Sequence, residues 1–508
     1  MTTQTSNVAG GIPVLDILPE ARLIGANELG VDSCCGQWDE CQQGDLYVAI
    51  LDAEMDGHDF CPQAVAKGAK AVITERLVAT SAPQVIVADS RQAYSRICHA
   101  LAGSPSRRMQ TVGVSGSVGK TVTAHLVEAI LQADGQQPGR LSSISGSLGQ
   151  NVPAITQLEF NPPMLADQLS QMVLNGCSHA VVEVSARDLA KRKFEGVGLD
   201  VAVLTNMRDD DIDFHSSRKN FKRSQLRILD ALKPEGIAVL NLDDPISHFT
   251  VESCTKPVLT FGMHQDANVR GQLLDRLKSE QSFLLAIGTE SVPVRTETIG
   301  DEHLYNCLCA ATVGLALGID IESIARGLEL GSKLPGRLER VECGQDFGVW
   351  IDSAKTPIQL ATALRTVKQV VKGKVWCLCS ILPEQSNAHR SKIGEVIDRA
   401  ADHAVLTHDA VDAFTDYEPM HQMLDGFEDP KSARLVPNRF RAIEWVLSQA
   451  KPQDAVLIAG CGEKPFALIG EENWTIRDRD VCEAWLYDNA SIDLESKSSE
   501  IYRIDDYR

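Results

Sequence analysis

A glycine-rich segment in the first quarter of the chain contains residues suited to binding a nucleotide phosphate. It reads Gly116-Ser-Val-Gly-Lys-Thr121. Glycines let backbone N–H groups close on a phosphate that a Cβ would keep away. The Lys120 ammonium can reach the terminal phosphates, and the Thr121 hydroxyl can hold Mg²⁺. The glycines are closer together than in a standard Walker A motif, yet the segment predicts binding of a nucleoside triphosphate.

An acidic residue at the end of an apolar run could complete such a site. Glu183 ends the run Ala180-Val-Val-Glu183. In open α/β sheets, ligands collect at the carboxyl ends of the strands. A carboxylate there could coordinate Mg²⁺ beside Thr121. The alternative is a glutamate that faces solvent at the end of a strand.

Two further strand ends carry polar residues whose role the sequence leaves open. Thr205-Asn206 precedes an acidic run, Asp209-Asp-Asp-Ile-Asp213. Clustered carboxylates need a cation or solvent to compensate their repulsion, so this run is either a metal site or a solvated loop. Asn241-Leu-Asp-Asp-Pro245 is either a turn or a nucleotide contact.

The elements that must position these residues follow an α/β pattern. A strand-like approach at 109–114 leads into a helix-like run at 124–133, and further helices are expected at 305–317 and 358–371. We predict three α/β domains: residues 1–106, 107–334 and 335–508, the second with a central phosphate-loop parallel sheet flanked by helices and the third Rossmann-like. Further strands are predicted at 45–51, 69–74, 84–87, 180–184, 200–204, 237–242, 349–351, 374–379, 403–407 and 455–459.

Composition limits the classes of function. The chain has 508 residues and a net charge of −20, which argues against unaided binding to nucleic acid. No apolar run approaches the length of a membrane span, and the N-terminus lacks a signal-peptide pattern. The 14 cysteines show no paired C-x-x-C spacing, so we expect reduced, structural thiols. We expect a cytoplasmic protein that uses ATP and Mg²⁺ as cofactors and works as a monomer.

The motifs and their order give the chain a family resemblance. It resembles the Mur ligase family and, within it, the muramyl-tripeptide synthetases, from about Asp32 to Trp485. The motifs that carry the resemblance are Asp32-Ser33, Gly44-Asp-Leu46, Asp56-Gly-His58, Asp89-Ser-Arg91, Gly116–Thr121, Glu183-Val-Ser185, Thr205-Asn206, Asp213, His215, Asn241, Asp243-Asp244, Asn306, Pro335-Gly-Arg337, Glu339 and Asp352-Ser-Ala-Lys-Thr-Pro357.

The resemblance implies a ligase whose first domain binds a UDP-linked muramyl peptide. ATP phosphorylates the peptide's terminal carboxylate, and the amine of an amino acid held by the third domain attacks the acyl phosphate. The implied catalytic residues are Lys120, Glu183, His215 and Asp352. The implied nucleotide ligands are Gly116, Ser117, Gly119, Lys120, Thr121, Asn306 and Arg337; the metal ligands are Thr121, Glu183 and Asp211; the substrate contacts are Ser33, Asn161, Ser185 and Arg390.

Several positions depart from the family pattern. Gln225 stands in place of a lysine that is carbamylated to hold a second Mg²⁺, and Asp211 in place of a histidine. Lys355 replaces a histidine of the third-domain motif. We therefore predict one strong Mg²⁺ site, at Thr121 and Glu183, and a weak or absent second one that depends on Asp211.

The segments that resemble the amino-acid pocket carry inverted charges. Asp412 stands where the family has an arginine for the amino acid's carboxylate, and Lys464 where it has a glutamate for an amine. Opposed charges in a desolvated site cost on the order of several kcal/mol. The usual diamino acid is therefore not expected to bind in the usual way.

Two classes of function follow. The first is an ATP-dependent amide ligase that adds an amino acid to a UDP-muramyl peptide during synthesis of peptidoglycan precursors. The alternative is a catalytically impaired paralogue that binds nucleotide and acts as a regulatory or scaffolding partner, or a ligase for another carboxylate and amine. The residues that favour the first class are Lys120, Glu183, Arg337 and Asp352. Gln225, Asp412 and Lys464 favour the others.

Overall fold

A computed structural model describes residues 11–52, 55–150, 152–156, 160–208, 217–264, 266–381, 386–408, 418–467 and 475–489. The chain divides into two compact units. The first comprises residues 1–268 with 309–323, and the second comprises residues 269–308 with 324–508.

Helices and strands alternate through much of the described chain. The α-helices are Val14–Ile17, Cys61–Ala66, Ser90–Leu101, Lys120–Ala133, Pro162–Leu174, Ala186–Ala190, Arg218–Leu226, Pro245–Ser253, Asp301–Ala316, Ile321–Leu330, Pro357–Val370, Asn387–Ala400, Glu418–Leu424, Arg439–Gln449 and Asp478–Asn489. The strands are Ile12–Pro13, Arg22–Ile24, Gly30–Val31, Cys34–Cys35, Leu46–Val48, Ala71–Thr74, Gln84–Ile86, Gln110–Ser115, Pro138–Leu141, Ser145–Ser147, Ile155–Thr156, His179–Glu183, Leu199–Leu204, Leu232–Asn241, Val258–Gly262, Val269–Arg276, Gln281–Ile287, Glu290–Thr296, Glu339–Val341, Gly348–Asp352, Val375–Ile381, His403–His408, Ala433–Asn438, Ala455–Ala459, Phe466–Ala467 and Thr475–Ile476.

The first unit begins with a small mixed sheet. Five strands pair in the order Arg22–Ile24, Gln84–Ile86, Ala71–Thr74, Leu46–Val48 and Cys34–Cys35, and only the first pair is antiparallel. Because successive side chains of a strand point to opposite faces, this sheet supplies two apolar clusters. One contains Leu46 and Val48, and the other contains Tyr47 and Ala49.

The larger sheet of the first unit is parallel at its centre. Six strands lie side by side in the order Pro138–Leu141, His179–Glu183, Gln110–Ser115, Leu199–Leu204, Leu232–Asn241 and Val258–Gly262, all parallel. Their residues are apolar and largely buried, as parallel strands covered on both faces must be. The carboxyl ends of all six strands therefore lie along one edge of the sheet.

The second unit contains a six-stranded sheet and an antiparallel meander. The six-stranded order is Glu339–Val341, Gly348–Asp352, Ala455–Ala459, Val375–Ile381, His403–His408 and Ala433–Asn438, with only the first pair antiparallel. The meander spans Val269–Thr296 in three strands. A buried ion pair, Arg439 Nη2 to Asp478 Oδ2 at 2.7 Å, fixes the last described helix to this unit.

The predicted α/β fold class is confirmed, and the predicted strands that define the sheets all contain observed strand. The prediction missed the meander: charged residues such as Arg270 and Asp275 interrupt its first strand, although its middle strand contains the apolar run Phe283–Ile287. The three-domain division stays a prediction. None of the fourteen cysteines, all of which lie among the described residues, forms a disulfide. Among the helices that the structure describes, none has the length and apolar character needed to cross a membrane.

Candidate nucleotide-binding site

The glycine-rich segment forms the turn between a central strand and a helix. Strand Gln110–Ser115 ends immediately before it, and helix Lys120–Ala133 begins within it. Gly116 has a φ of +139°, and a Cβ there would lie 2.1 Å from Thr205 Oγ1. Gly119, with a φ of +88°, turns the chain into the helix. Backbone conformation and the contact with Thr205 therefore both require Gly116.

Asn206, at the end of the neighbouring strand, braces this turn. Its backbone carbonyl accepts a hydrogen bond from Ser117 N at 3.1 Å, and its side-chain Oδ1 accepts one from Val118 N at 3.0 Å. Asn206 Nδ2 in turn donates to the Val118 carbonyl at 3.0 Å. Thr205 Oγ1 donates to the same carbonyl at 2.6 Å. The loop is thus held to one neighbouring strand end by side-chain and backbone bonds.

The Lys120 ammonium lies over the loop that precedes it. Nζ donates to the Gly116 carbonyl at 2.9 Å and to the Ser117 carbonyl at 3.1 Å. These bonds place a positive charge at the N-terminal end of helix Lys120–Ala133, where the helix dipole also favours an anion. The loop, the helix end and the lysine together suit a phosphate group.

On the other side of the loop, Thr121 and Glu183 are in direct contact. Thr121 Oγ1 donates to Glu183 Oε2 at 2.9 Å, and both residues are buried. Ser143 N donates to the same carboxylate oxygen at 3.0 Å, and Ser143 Oγ lies 3.1 Å from Thr121 Oγ1. Hydroxyl and carboxylate oxygens are the donors that Mg²⁺ prefers, so this set fits the predicted ion.

Gln225 reaches the loop from helix Arg218–Leu226. It is fully buried, and its Nε2 lies 3.3 Å from Ser117 Oγ, to which it donates. Ser117 Oγ in turn donates to the Arg208 carbonyl at 2.7 Å. Gln225 Oε1 has no hydrogen-bond partner among the described residues. A neutral amide thus occupies the position that the family resemblance assigns to a charged carbamate.

Three of the predicted substrate contacts have local structural roles. Ser185 caps helix Ala186–Ala190, and Asn161 caps helix Pro162–Leu174 by accepting a hydrogen bond from Met164 N at 2.9 Å. The Ser33 hydroxyl donates to Asp45. In the first unit, Asp244 also serves as a cap, for helix Pro245–Ser253, which favours the turn interpretation of that segment.

In the second unit, Arg337 and Asp352 lie in one charged cluster. Arg337 Nη1 donates to Glu463 Oε2 at 2.8 Å. Asp352 accepts backbone hydrogen bonds from Leu338 N at 2.7 Å and Ala354 N at 2.8 Å. Burial raises the pKa of Asp352 to about 6, against the opposing effects of Arg337 and these two bonds. The fold therefore makes this carboxyl group harder to ionise.

The same cluster contains the lysine that departs from the family pattern. Burial lowers the pKa of Lys355, and the nearby positive charge of Lys464 lowers it further. Lys464 itself is exposed, on the turn that follows strand Ala455–Ala459. The positive charge of Lys464 thus disfavours a positive charge on Lys355.

Two further predicted residues of the second unit, Arg390 and Asn306, are buried. Arg390 Nη1 donates to Gln422 Oε1 at 2.6 Å, and Asn306 lies in helix Asp301–Ala316.

Some of the predicted site residues lie outside the described residues. They are His215, Asp412 and the acidic run that contains Asp211. Their predicted roles stay predictions.

The sequence interpretation missed two residues of these clusters. Ser143 follows strand Pro138–Leu141, and the apolar-run criterion overlooked that strand because it reads Pro-Gly-Arg-Leu. Strand Pro138–Leu141 pairs in parallel with His179–Glu183, and Ser143 therefore lies at the same edge of the sheet as Glu183. Glu463 pairs with Arg337, which lies 126 residues away in the sequence, so no local pattern indicates it.

Three family models match successive parts of the chain. Residues 39–100 match "Mur ligase family, catalytic domain". Residues 114–314 match "Mur ligase middle domain", and residues 336–462 match "Mur ligase, glutamate ligase domain". The three matches together follow the order of the motifs along the chain.

Individual proteins are similar over most of the chain. The UDP-N-acetylmuramoyl-L-alanyl-D-glutamate–2,6-diaminopimelate ligase of Geobacillus kaustophilus is 32% identical over 453 residues, covering 87% of this chain and 92% of that protein. The enzyme of the same name from Listeria monocytogenes is 28% identical, with 86% and 90% covered.

Solved structures share the fold. A structure of a UDP-N-acetylmuramoyl-L-alanyl-D-glutamate–2,6-diaminopimelate ligase superposes with a TM-score of 0.66 at 20% identity, covering 94% of this chain and 99% of that one. Folylpolyglutamate synthase from Mycobacterium tuberculosis, complexed with ADP and AMPPCP, gives a TM-score of 0.59 at 18% identity, with 73% and 92% covered.

Replacing the loop lysine tests the phosphate-site assignment. Lys120→Ala removes the ammonium held over the loop, so we expect affinity for ATP with Mg²⁺ to fall by at least about tenfold, as when a charge-assisted hydrogen bond is lost. Isothermal titration calorimetry measures the change. The exposed Lys372→Ala is the matched control, and unchanged affinity in Lys120→Ala would show that the loop does not bind phosphate.

Because the pKa of Asp352 is raised, we expect the stability of the protein to depend on pH. The pKa of Asp352 is about 6 in the folded chain, against an ordinary value of 3.8. Between about pH 4 and pH 6 the folded state therefore binds more protons, and the free energy of unfolding contributed by this group decreases as pH rises. To measure this, the urea unfolding midpoints of the wild type and of Asp352→Asn are compared from pH 4 to pH 7. The difference between the two proteins gives the contribution of Asp352 to stability at each pH.

That difference, wild type minus Asp352→Asn, should fall with rising pH and level off above the folded pKa. Asp346→Asn, at an exposed position, is the control, and its unfolding midpoint should depend on pH in the same way as that of the wild type. A difference that rises with pH, or that does not change, would contradict a raised pKa.

Proposed function

The chain belongs to the Mur ligase family of ATP-dependent ligases, and we propose that it joins an amino acid to the terminal carboxylate of a UDP-linked muramyl peptide. The observation that carries the proposal is the contact of Thr121 with Glu183 beside a loop that holds Lys120. A loop for phosphate and an oxygen-rich cation site lie side by side, as phosphoryl transfer requires.

The residues of the first unit have distinct tasks in this proposal. The backbone N–H groups of the loop and the Lys120 ammonium bind and orient the terminal phosphates of ATP. Thr121 and Glu183 hold Mg²⁺, which, when bound, neutralises phosphate charge. Asn206 fixes the loop, so these groups are in place before the substrate arrives and need little reorganisation.

In the second unit, we assign the charged cluster of Arg337, Asp352 and Glu463 to nucleotide and amino-acid positioning. The named relatives act on 2,6-diaminopimelate, which carries two amines. Lys355 already has a lowered pKa because of burial and the charge of Lys464. A further ammonium beside these lysines is disfavoured, so we propose that this chain adds a different amino acid.

A second candidate function is favoured by one observation. The buried amide of Gln225 contacts Ser117 in the loop, where the family resemblance places a carbamate. An amide supplies no negative charge for a second cation. A paralogue that binds nucleotide but turns over slowly, and acts through a partner, would have this feature.

Phosphate release measured over a panel of substrates distinguishes these functions. The purified chain is given ATP, Mg²⁺, UDP-muramyl peptides of increasing length and single amino acids, with 2,6-diaminopimelate among them. We expect release that requires both a peptide and an amino acid, with 2,6-diaminopimelate a poor substrate. Tight ATP binding without turnover for any pair would support the non-catalytic paralogue.

In the same assay, Gln225→Lys tests whether the reaction is slowed by the missing negative charge at this position. If carbon dioxide carbamylates the new lysine, added bicarbonate should raise the rate of the variant and leave the wild type unchanged. Gln225→Leu is the control, because it removes the bond to Ser117 and cannot be carbamylated. A bicarbonate effect equal in all three proteins would rule out this explanation of the substitution.

A further inference from the structure

Three potential metal ligands lie together beside the five-stranded sheet of the first unit. The Cys35 and Cys41 sulfurs and a carboxylate oxygen of Asp45 all lie within 4.8 Å of one another. All three residues are buried, with exposed fractions of 7%, 6% and 9%. Neither thiol belongs to the residues that we assign to binding the nucleotide and its cation.

The local fold explains why these side chains converge. Cys35 is the second residue of the edge strand Cys34–Cys35, and its side chain joins the apolar cluster of Tyr47 and Ala49. The chain then turns, with Cys41 N donating to the Trp38 carbonyl at 3.3 Å. Asp45 immediately precedes the adjacent parallel strand Leu46–Val48. The end of the edge strand and the connection that follows it therefore supply all three ligands.

The carboxylate is already oriented by its neighbours. Asp45 Oδ2 accepts a hydrogen bond from Gln42 N at 2.8 Å, and Oδ1 accepts one from the Ser33 hydroxyl. Hydrogen bonds of this kind orient the side chains that bind a metal ion and raise the affinity for that ion. The nearby Lys67 ammonium donates to the Asp39 carbonyl and lies over the Trp38 ring, at 5.5 Å from its centroid.

We propose that Cys35, Cys41 and Asp45 bind one thiophilic divalent cation, with Zn²⁺ as the best match. Zn²⁺ takes thiolate and carboxylate ligands in tetrahedral geometry, and three protein ligands leave a fourth position for water. Mg²⁺ prefers six oxygen ligands, so it does not compete well for two sulfurs.

Binding exchanges protons for metal without any redox step. Two S–H bonds break and two Zn–S bonds form, and the two protons pass to solvent. Zn²⁺ with two thiolates and one carboxylate leaves one net negative charge. The bound ion links the edge strand to the turn that follows it and stabilises the folded first unit by mass action.

Cobalt substitution tests the site in the full-length protein. The reduced, chelator-treated chain is titrated with Co²⁺ in the presence of excess Mg²⁺, and the absorption of thiolate-to-Co²⁺ charge transfer is recorded. We expect one equivalent with a tetrahedral visible spectrum, displaced by Zn²⁺. Cys35→Ser and Cys41→Ser should each reduce the charge-transfer band, and Ser33→Ala should weaken binding by roughly 10-fold or more.

Cys61→Ser is the matched control, since Cys61 is a buried thiol of the same apolar cluster. Metal-free thermal melting of every variant separates loss of a ligand from loss of the fold. Absence of the band, or a band that survives in Cys35→Ser and Cys41→Ser alike, overturns the proposal. A band lost equally in Cys61→Ser would show adventitious binding by thiols. The readout is spectroscopic, so it is independent of ligase activity.

Discussion

The parallel pairing of three strands is the constraint on which the nucleotide site depends. Strand Gln110–Ser115 lies between His179–Glu183 and Leu199–Leu204, and parallel pairing brings their carboxyl ends to one edge. The loop after the middle strand is consequently flanked by Glu183 on one side and Asn206 on the other. A register slip of one residue would turn the side chain of Glu183 to the opposite face of the sheet.

The two flanking strands make different contributions to the loop. The Asn206 side chain binds the backbone of the loop, through two hydrogen bonds with Val118 that set the path of the turn. Glu183 acts on Thr121, where it defines an oxygen-rich position next to the helix end. Gln225 approaches from a third element and bonds Ser117 without adding charge. Among the described residues of the site, Gln225 thus keeps a contact with the loop but brings no charge to it.

Much of this could be predicted from the sequence, because apolar runs that end in polar residues identify both the strands and the sheet edge. The glycine spacing, Lys120, Thr121 and Glu183 are all visible in this way. Ser143 was not, because its strand contains Pro138 and Gly139 and has no apolar run. The contacts of Gln225 with Ser117 and of Arg337 with Glu463 join residues 108 and 126 positions apart, and local pattern cannot give such pairings.

We propose that Glu183 and Thr121 hold the cation that accompanies the nucleotide. The most direct test is the Mg²⁺ dependence of ATP affinity in the wild type and in Glu183→Gln, measured by calorimetry across a range of Mg²⁺ concentrations. We expect the ATP affinity of the wild type to rise with Mg²⁺ concentration, whereas Glu183→Gln keeps the Mg²⁺-free affinity and loses most of the rise. The same rise in both proteins would contradict it.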